Sequence, residues 1–135
     1  MQLKRLDHVN IRTANLAAMI DWYRDILGME SGPRPAFGFG GAWMYLDGYP
    51  IVHLVEVAKP ATGADPKLEH FAISGVGLAD FLAHLRRHKV AYKSGVAPGE
   101  GFNISQINIW DPDGNHVHVD FGAAEKADLT DYDGS

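Results

Sequence analysis

The sequence predicts an α+β fold built from two βαβββ modules, and three observations carry that prediction. Two segments have apolar residues at helical spacing. Each follows an alternating, strand-like stretch and precedes three further strand candidates. A Pro- and Gly-containing linker, residues 59–67, separates the two runs. The expected modules are 4–58 and 68–122 within one domain of residues 1–122, followed by an acidic tail at 123–135. Two such modules can set their strands in one curved sheet with both helices on its outer face.

The elements follow in order. From Leu6 to Arg12, Val9 and Ile11 point one way and His8, Asn10 and Arg12 the other, the period-two pattern of a half-buried strand. Asn15 is an N-cap candidate for a helix with Leu16, Met19, Ile20, Tyr23 and Leu27 on one face, and Gly28 supplies its stop. Strands are expected near 29–37, 42–46 and 51–57, with Gly and Pro in the gaps. In the last of these Ile51, His53 and Val55 share a face, but Val52 and Leu54 are equally apolar, so its facing stays open.

After the linker the order repeats. A strand at 68–74 precedes a helix at 78–87 whose buried side is Leu78, Phe81, Leu82 and Leu85. Three strands follow near 91–96, 102–110 and 116–121, and Asp111-Pro-Asp-Gly114 has the residues of a type I turn joining the last two. The tail carries Glu125, Asp128, Asp131 and Asp133 against Lys126 and is expected to be loose.

Composition narrows the function. The 135 residues carry a formal charge of −5, which disfavours nucleic acid and anionic membranes as partners. There is no cysteine, which removes thiolate metal sites and cysteine nucleophiles and suits a reducing cytoplasm. No signal-like segment opens the chain, and no apolar run nears the roughly 18 residues of a membrane span. A cytoplasmic protein with a small-molecule partner is the expectation.

Seven histidines concentrate the chemistry. His8, His70, His116 and His118 fall on strand faces otherwise marked polar, beside Asn10, Arg12, Gln106, Asn108 and Asp120. His53 lies on the ambiguous strand, and His84 and His88 lie at the second helix. Imidazole suits Zn, Fe, Ni or Cu. A lone strand histidine is more often packed or solvated, since antiparallel sheets commonly keep one wet face. Residues i and i+2 stand roughly 6.6–6.8 Å apart along a strand, so His116 and His118 need not both reach one ion.

Leu6-Asp-His-Val-Asn-Ile-Arg12, Trp22-Tyr-Arg-Asp-Ile-Leu-Gly-Met29, Leu68-Glu-His-Phe-Ala-Ile-Ser74 and Trp110-Asp-Pro-Asp-Gly-Asn-His-Val-His-Val-Asp120 together resemble the vicinal oxygen chelate superfamily, which includes glyoxalases, bleomycin resistance proteins and extradiol dioxygenases. The resemblance implies a cupped, mostly antiparallel eight-stranded sheet, one divalent metal per chain (Zn, Fe(II), Ni, Co or Mn) and a homodimer. It places metal ligands at His8, His53, His70 and His118. At the position of His118 the family usually has Glu, a departure that puts glutathione-dependent glyoxalase chemistry in doubt and breaks a two-histidine, one-carboxylate triad. Arg12 matches a position that contacts anionic substrate.

A metal held by neutral histidines keeps its charge and polarises oxygen ligands. The candidates to move a proton are His116, Asp120, Tyr45 and Glu56, with Asp120 alternatively fixing a histidine tautomer. Arg12, Asn10, Asn108 and Gln106 are candidate substrate contacts, and Phe37, Phe39, Trp43 and Phe102 candidate pocket walls. The leading expectation is a metal-dependent lyase/isomerase or dioxygenase acting on a small oxygen-bearing substrate. The alternative is a metal-free protein that sequesters a drug-like molecule.

Overall fold

The computed structural model describes residues 1–97 and 104–135. Phe102, expected as a strand start and pocket wall, lies outside the described residues. The chain forms two compact units, Met1–Ala64 and Asp65–Ser135, and each is a βαβββ module.

In the first unit, β1 (Val9–Thr13), α1 (Leu16–Asp25), β2 (Glu30–Gly32), β3 (Gly41–Leu46) and β4 (Tyr49–Glu56) give a mixed sheet in the order β1-β4-β3-β2. β1 runs parallel to β4 and the other pairings are antiparallel. The helix carries the chain from one sheet edge to the other, and the meander then returns beside β1. Met19 and Tyr23 of α1 are fully buried against Met29, Met44, Val52 and Leu54. Burying such a side chain contributes roughly 1.5–3 kcal/mol. This packing settles the open facing of β4: Val52 and Leu54 enter the core, and His53 turns to the opposite face.

Asn15 stands at the N-cap of α1, but its side chain makes no capping bond. Instead the Thr13 hydroxyl accepts the Asn15 amide at 2.9 Å, and the Asn15 carbonyl accepts the Met19 amide. The helix ends as expected at Gly28, whose φ of 68° is a left-handed conformation that glycine adopts without a Cβ clash. β2 is much shorter than the stretch expected for it, because Pro33 and Pro35 cannot donate to a ladder.

In the second unit, β5 (His70–Gly75), α2 (Leu78–Arg87), β6 (Lys93–Ala97), β7 (Ile104–Trp110) and β8 (His116–Phe121) repeat the pattern, with sheet order β5-β8-β7-β6. β5 and β8 are parallel. Leu78, Leu82 and Leu85 of α2 are buried with Ile107, Ile109, Val117, Val119 and Phe121. The alternation therefore sends Gln106, Asn108, His116, His118 and Asp120 to the other face, as the sequence predicts.

The acidic tail is not loose. Glu125 Oε1 accepts the amides of Gly77 and Leu78 at 2.7 and 2.8 Å, capping α2 where Gly77 has no side chain to do so. Asp131 accepts the Ser94 amide at 2.8 Å, and Tyr132 pairs with Tyr92 through two backbone bonds. Edge strand β6 and the bare helix start offer unpaired donors, and the tail acids meet them. No helix of the described residues is long and apolar enough to cross a membrane.

Candidate metal centre

The parallel register of β5 and β8 sets His70 opposite His116, Ala72 opposite His118 and Ser74 opposite Asp120. Small Ala72 leaves room beside His118, whose ring stacks on His70 at 4.1 Å between centroids. His116 meets His118 edge-on at 4.8 Å. Among the described residues, these three histidines bring one ligand nitrogen each within 4.8 Å of the others. His116 and His118, which strand spacing alone does not oblige to share an ion, thus come within reach of one. Strand spacing separates their backbones, but the imidazoles lean together over His70.

The start of β8 is fixed by the Asp111–Gly114 turn. Asp111 is buried, and its Oδ1 accepts the amides of Asp113 and Asn115 at 3.0 and 2.9 Å. The Gly114 amide closes the turn on the Asp111 carbonyl at 2.9 Å. This pins Trp110 opposite His116, and the two rings stack at 4.9 Å. His116 Nε2 donates to Asn108 Oδ1 at 2.9 Å while the Asn108 amide donates to the Lys93 carbonyl. Asn108, expected to meet substrate, here orients a histidine.

His118 is buried, and its Nδ1 has no hydrogen-bond partner. Asp120 Oδ1, 3.7 Å away, is likewise buried without one. Burial first, and the neighbouring His70 second, hold the His118 pKa below its ordinary value, so the ring stays neutral with a lone pair to offer. Three imidazoles with an orphaned nitrogen among them suit a borderline divalent cation.

Glu69 was not foreseen as a site residue. Its Oε2 accepts from His70 Nδ1, and its Oε1 accepts from His116 Nδ1 at 2.8 Å. These two bonds, that to His70 first, hold its carboxyl below the usual carboxylate range. The available signal was a carboxylate directly preceding a candidate ligand at a strand start.

In the first unit, His8 lies one residue before β1, and its ring stacks on His53 at 3.8 Å. Trp43 covers the other side of His53 at 4.0 Å. His53 Nε2 donates to the Pro50 carbonyl at 2.9 Å, and burial lowers its pKa. Phe37 and Phe39 stack on one another, and Phe37 also meets Trp43. The Tyr45 hydroxyl, a candidate proton carrier, donates to the Pro33 carbonyl. Asn10 and Arg12 are exposed on β1. Asp21 and Asp25, acids of the neighbouring helix α1, both pair with Arg24.

The sequence profile of the Glyoxalase/Bleomycin resistance protein/Dioxygenase superfamily matches residues 5–119. A manganese-dependent 2,3-dihydroxybiphenyl 1,2-dioxygenase of Geobacillus genomosp. 3 is 33% identical over 122 residues, 84% of this chain. The chain spans only 38% of that relative's length. Among solved structures, a glyoxylase/bleomycin resistance protein/dioxygenase domain from Frankia sp. EAN1pec shares the fold at 20% identity and a TM-score of 0.71, over 90% of this chain and 99% of that one. A lactoylglutathione lyase from Agrobacterium tumefaciens does so at 15% identity and 0.69, over 91% and 97%.

Proposed function

Because the chain belongs to the glyoxalase/bleomycin resistance protein/dioxygenase superfamily, we propose that it is a metal-dependent enzyme, of ring-cleaving dioxygenase class on an aromatic diol. The convergence of His70, His116 and His118 around a buried, partnerless nitrogen is the observation that carries the reading. The manganese-dependent dioxygenase relative directs it to Mn(II) or Fe(II) and to dioxygenase rather than lyase chemistry.

A divalent ion at this site supplies Lewis-acid polarisation of substrate oxygens. The residues of the chain do the rest. His70, His116 and His118 hold the ion, and the neutral state of His118 keeps its lone pair ready without a proton to displace. Asp120 Oδ1 holds or takes a proton beside His118. Asn108 Oδ1 accepts the His116 Nε2–H in the metal-free protein, a proton that His116 would give up to ligate, and Arg12 takes an anionic group of the substrate. We further propose a homodimer, since β2 is a sheet edge that a second copy can cover; sedimentation at micromolar concentration checks it, a strictly monomeric mass counting against it.

The test is anaerobic loading with Mn(II) or Fe(II), followed by oxygen uptake on a panel of catechols. Uptake with formation of a ring-opened chromophore supports the reading. Retention of metal without uptake, but with turnover of a hemithioacetal, moves the protein to the lyase class. Failure to retain any divalent metal moves it to the sequestering proteins of the superfamily.

A further inference from the structure

Glu69 joins two of the three clustered histidines through one carboxylate. It stands just before β5, and its two oxygens part: Oε2 accepts from His70 Nδ1 and Oε1 from His116 Nδ1. A carboxylate accepts only, so each imidazole must present Nδ1–H to it. That fixes the tautomer of His70 and leaves its Nε2 lone pair facing away from Glu69. In the metal-free protein His116 also gives Nε2–H to Asn108 Oδ1 and lies against the Trp110 face; to ligate, it would give up that proton and that bond, while the Glu69 bond to Nδ1–H stays. His118 makes no bond to Glu69 and keeps an orphaned Nδ1.

We propose that Glu69 is the positioning residue of the three-histidine centre, a single carboxylate that sets the ring orientation and tautomer of two ligands at once. The superfamily resemblance looks for a carboxylate on the last strand, where this chain has His118. Glu69 brings a carboxylate to the same cluster from just before β5 and at one remove from the ion. Partners of this kind raise ligand basicity and fix geometry, and their loss typically weakens metal binding about 10- to 100-fold. The proposal rests on the three-histidine reading of the site.

Glu69 is well suited to a clean test, because its side chain is 64% exposed. Co(II) affinity is measured by chelator competition, and the visible Co(II) spectrum recorded, for wild type, Glu69→Gln and Glu69→Asp. Glutamine offers one oxygen and one NH2, so it cannot accept from both rings. Aspartate keeps the charge but is too short to reach both. Each variant is expected to bind Co(II) about 10- to 100-fold more weakly, with an altered spectrum, while the metal-free proteins unfold at the wild-type midpoint. Wild-type affinity in Glu69→Gln overturns the role. Wild-type affinity in Glu69→Asp reduces Glu69 to a nearby charge and overturns two-point positioning. If wild type itself binds no Co(II), Mn(II) or Zn(II), the metal reading falls and this role falls with it; wild-type binding with unaffected variants removes this role alone.

Discussion

His70 and His118 lie face to face, 4.1 Å between ring centroids and 10° from parallel, although Ala72 rather than His70 is the register partner of His118. The stack exists because Ala72 is too small to separate the rings. It makes the cluster depend on both. Replacing His70 or His118 by Ala leaves two imidazoles for a divalent ion, and we expect each change to lower affinity by at least about 100-fold, with loss of oxygen uptake. Elemental analysis after loading and desalting checks this. Near-stoichiometric metal in His118→Ala would remove that residue from the ligand set.

Acid should weaken the metal-free protein before it weakens most small folds. His53 and His118 are both held below their ordinary pKa, first by burial. The unfolded chain then binds more protons than the folded one between the folded values and about 6.5, the free-histidine value. Stability is therefore full above that value and falls as the pH drops through the folded pKa values. Urea midpoints in chelator should be level from pH 7 to 8 and decline below 6.5, and His53→Gln should flatten the decline. A midpoint independent of pH down to 5 would contradict it.

Arg12 is exposed with no ion-pair partner among the described residues, and Asp21 and Asp25 of α1 are held by Arg24. A guanidinium left open on a polar face suits a carboxylate or phosphate better than a lysine would. Arg12→Ala should raise the Michaelis constant about tenfold or more, leaving metal content intact. Unchanged kinetics would assign it to solvent.

Removing the remote cap of α2 should cost stability and nothing else. Glu125→Ala strips an acceptor from two amides of a helix start, and losing a cap typically costs about 0.5–2 kcal/mol. The unfolding midpoint should drop accordingly, with Co(II) affinity as in wild type. An unshifted midpoint would show that water serves those amides equally well.

Much of this architecture can be read from periodicity. The alternation in 116–121 and the 78–87 apolar stripe fix β8 and α2, because the apolar positions Val117, Val119 and Phe121, and Leu78, Leu82 and Leu85, are the buried ones; His118, buried on the polar face, is the exception. The facing of 51–55 cannot be read that way, since apolar residues occupy both faces and only packing against Met19 and Met44 selects Val52 and Leu54. His70 and His118 stand out by alternation and by resemblance. The bridging part of Glu69 does not, because it depends on how two side chains fork across strands. The order of the tail is hidden for a related reason: its acids carry no periodic signal, and their partners lie far away in sequence.

The cap on α2 also orders the birth of the molecule. Glu125 follows Gly77 by 48 positions. Chains emerge from the ribosome at about 5–20 residues per second, so the first turn of α2 waits seconds for its acceptor. The first unit has no such debt: α1 starts on Thr13 and ends on Gly28, both nearby, and its sheet closes when β4 is made. In a nascent chain the contacts that start and stop α1 are thus made early, whereas the start of α2 gains its acceptor only after residue 125 is made.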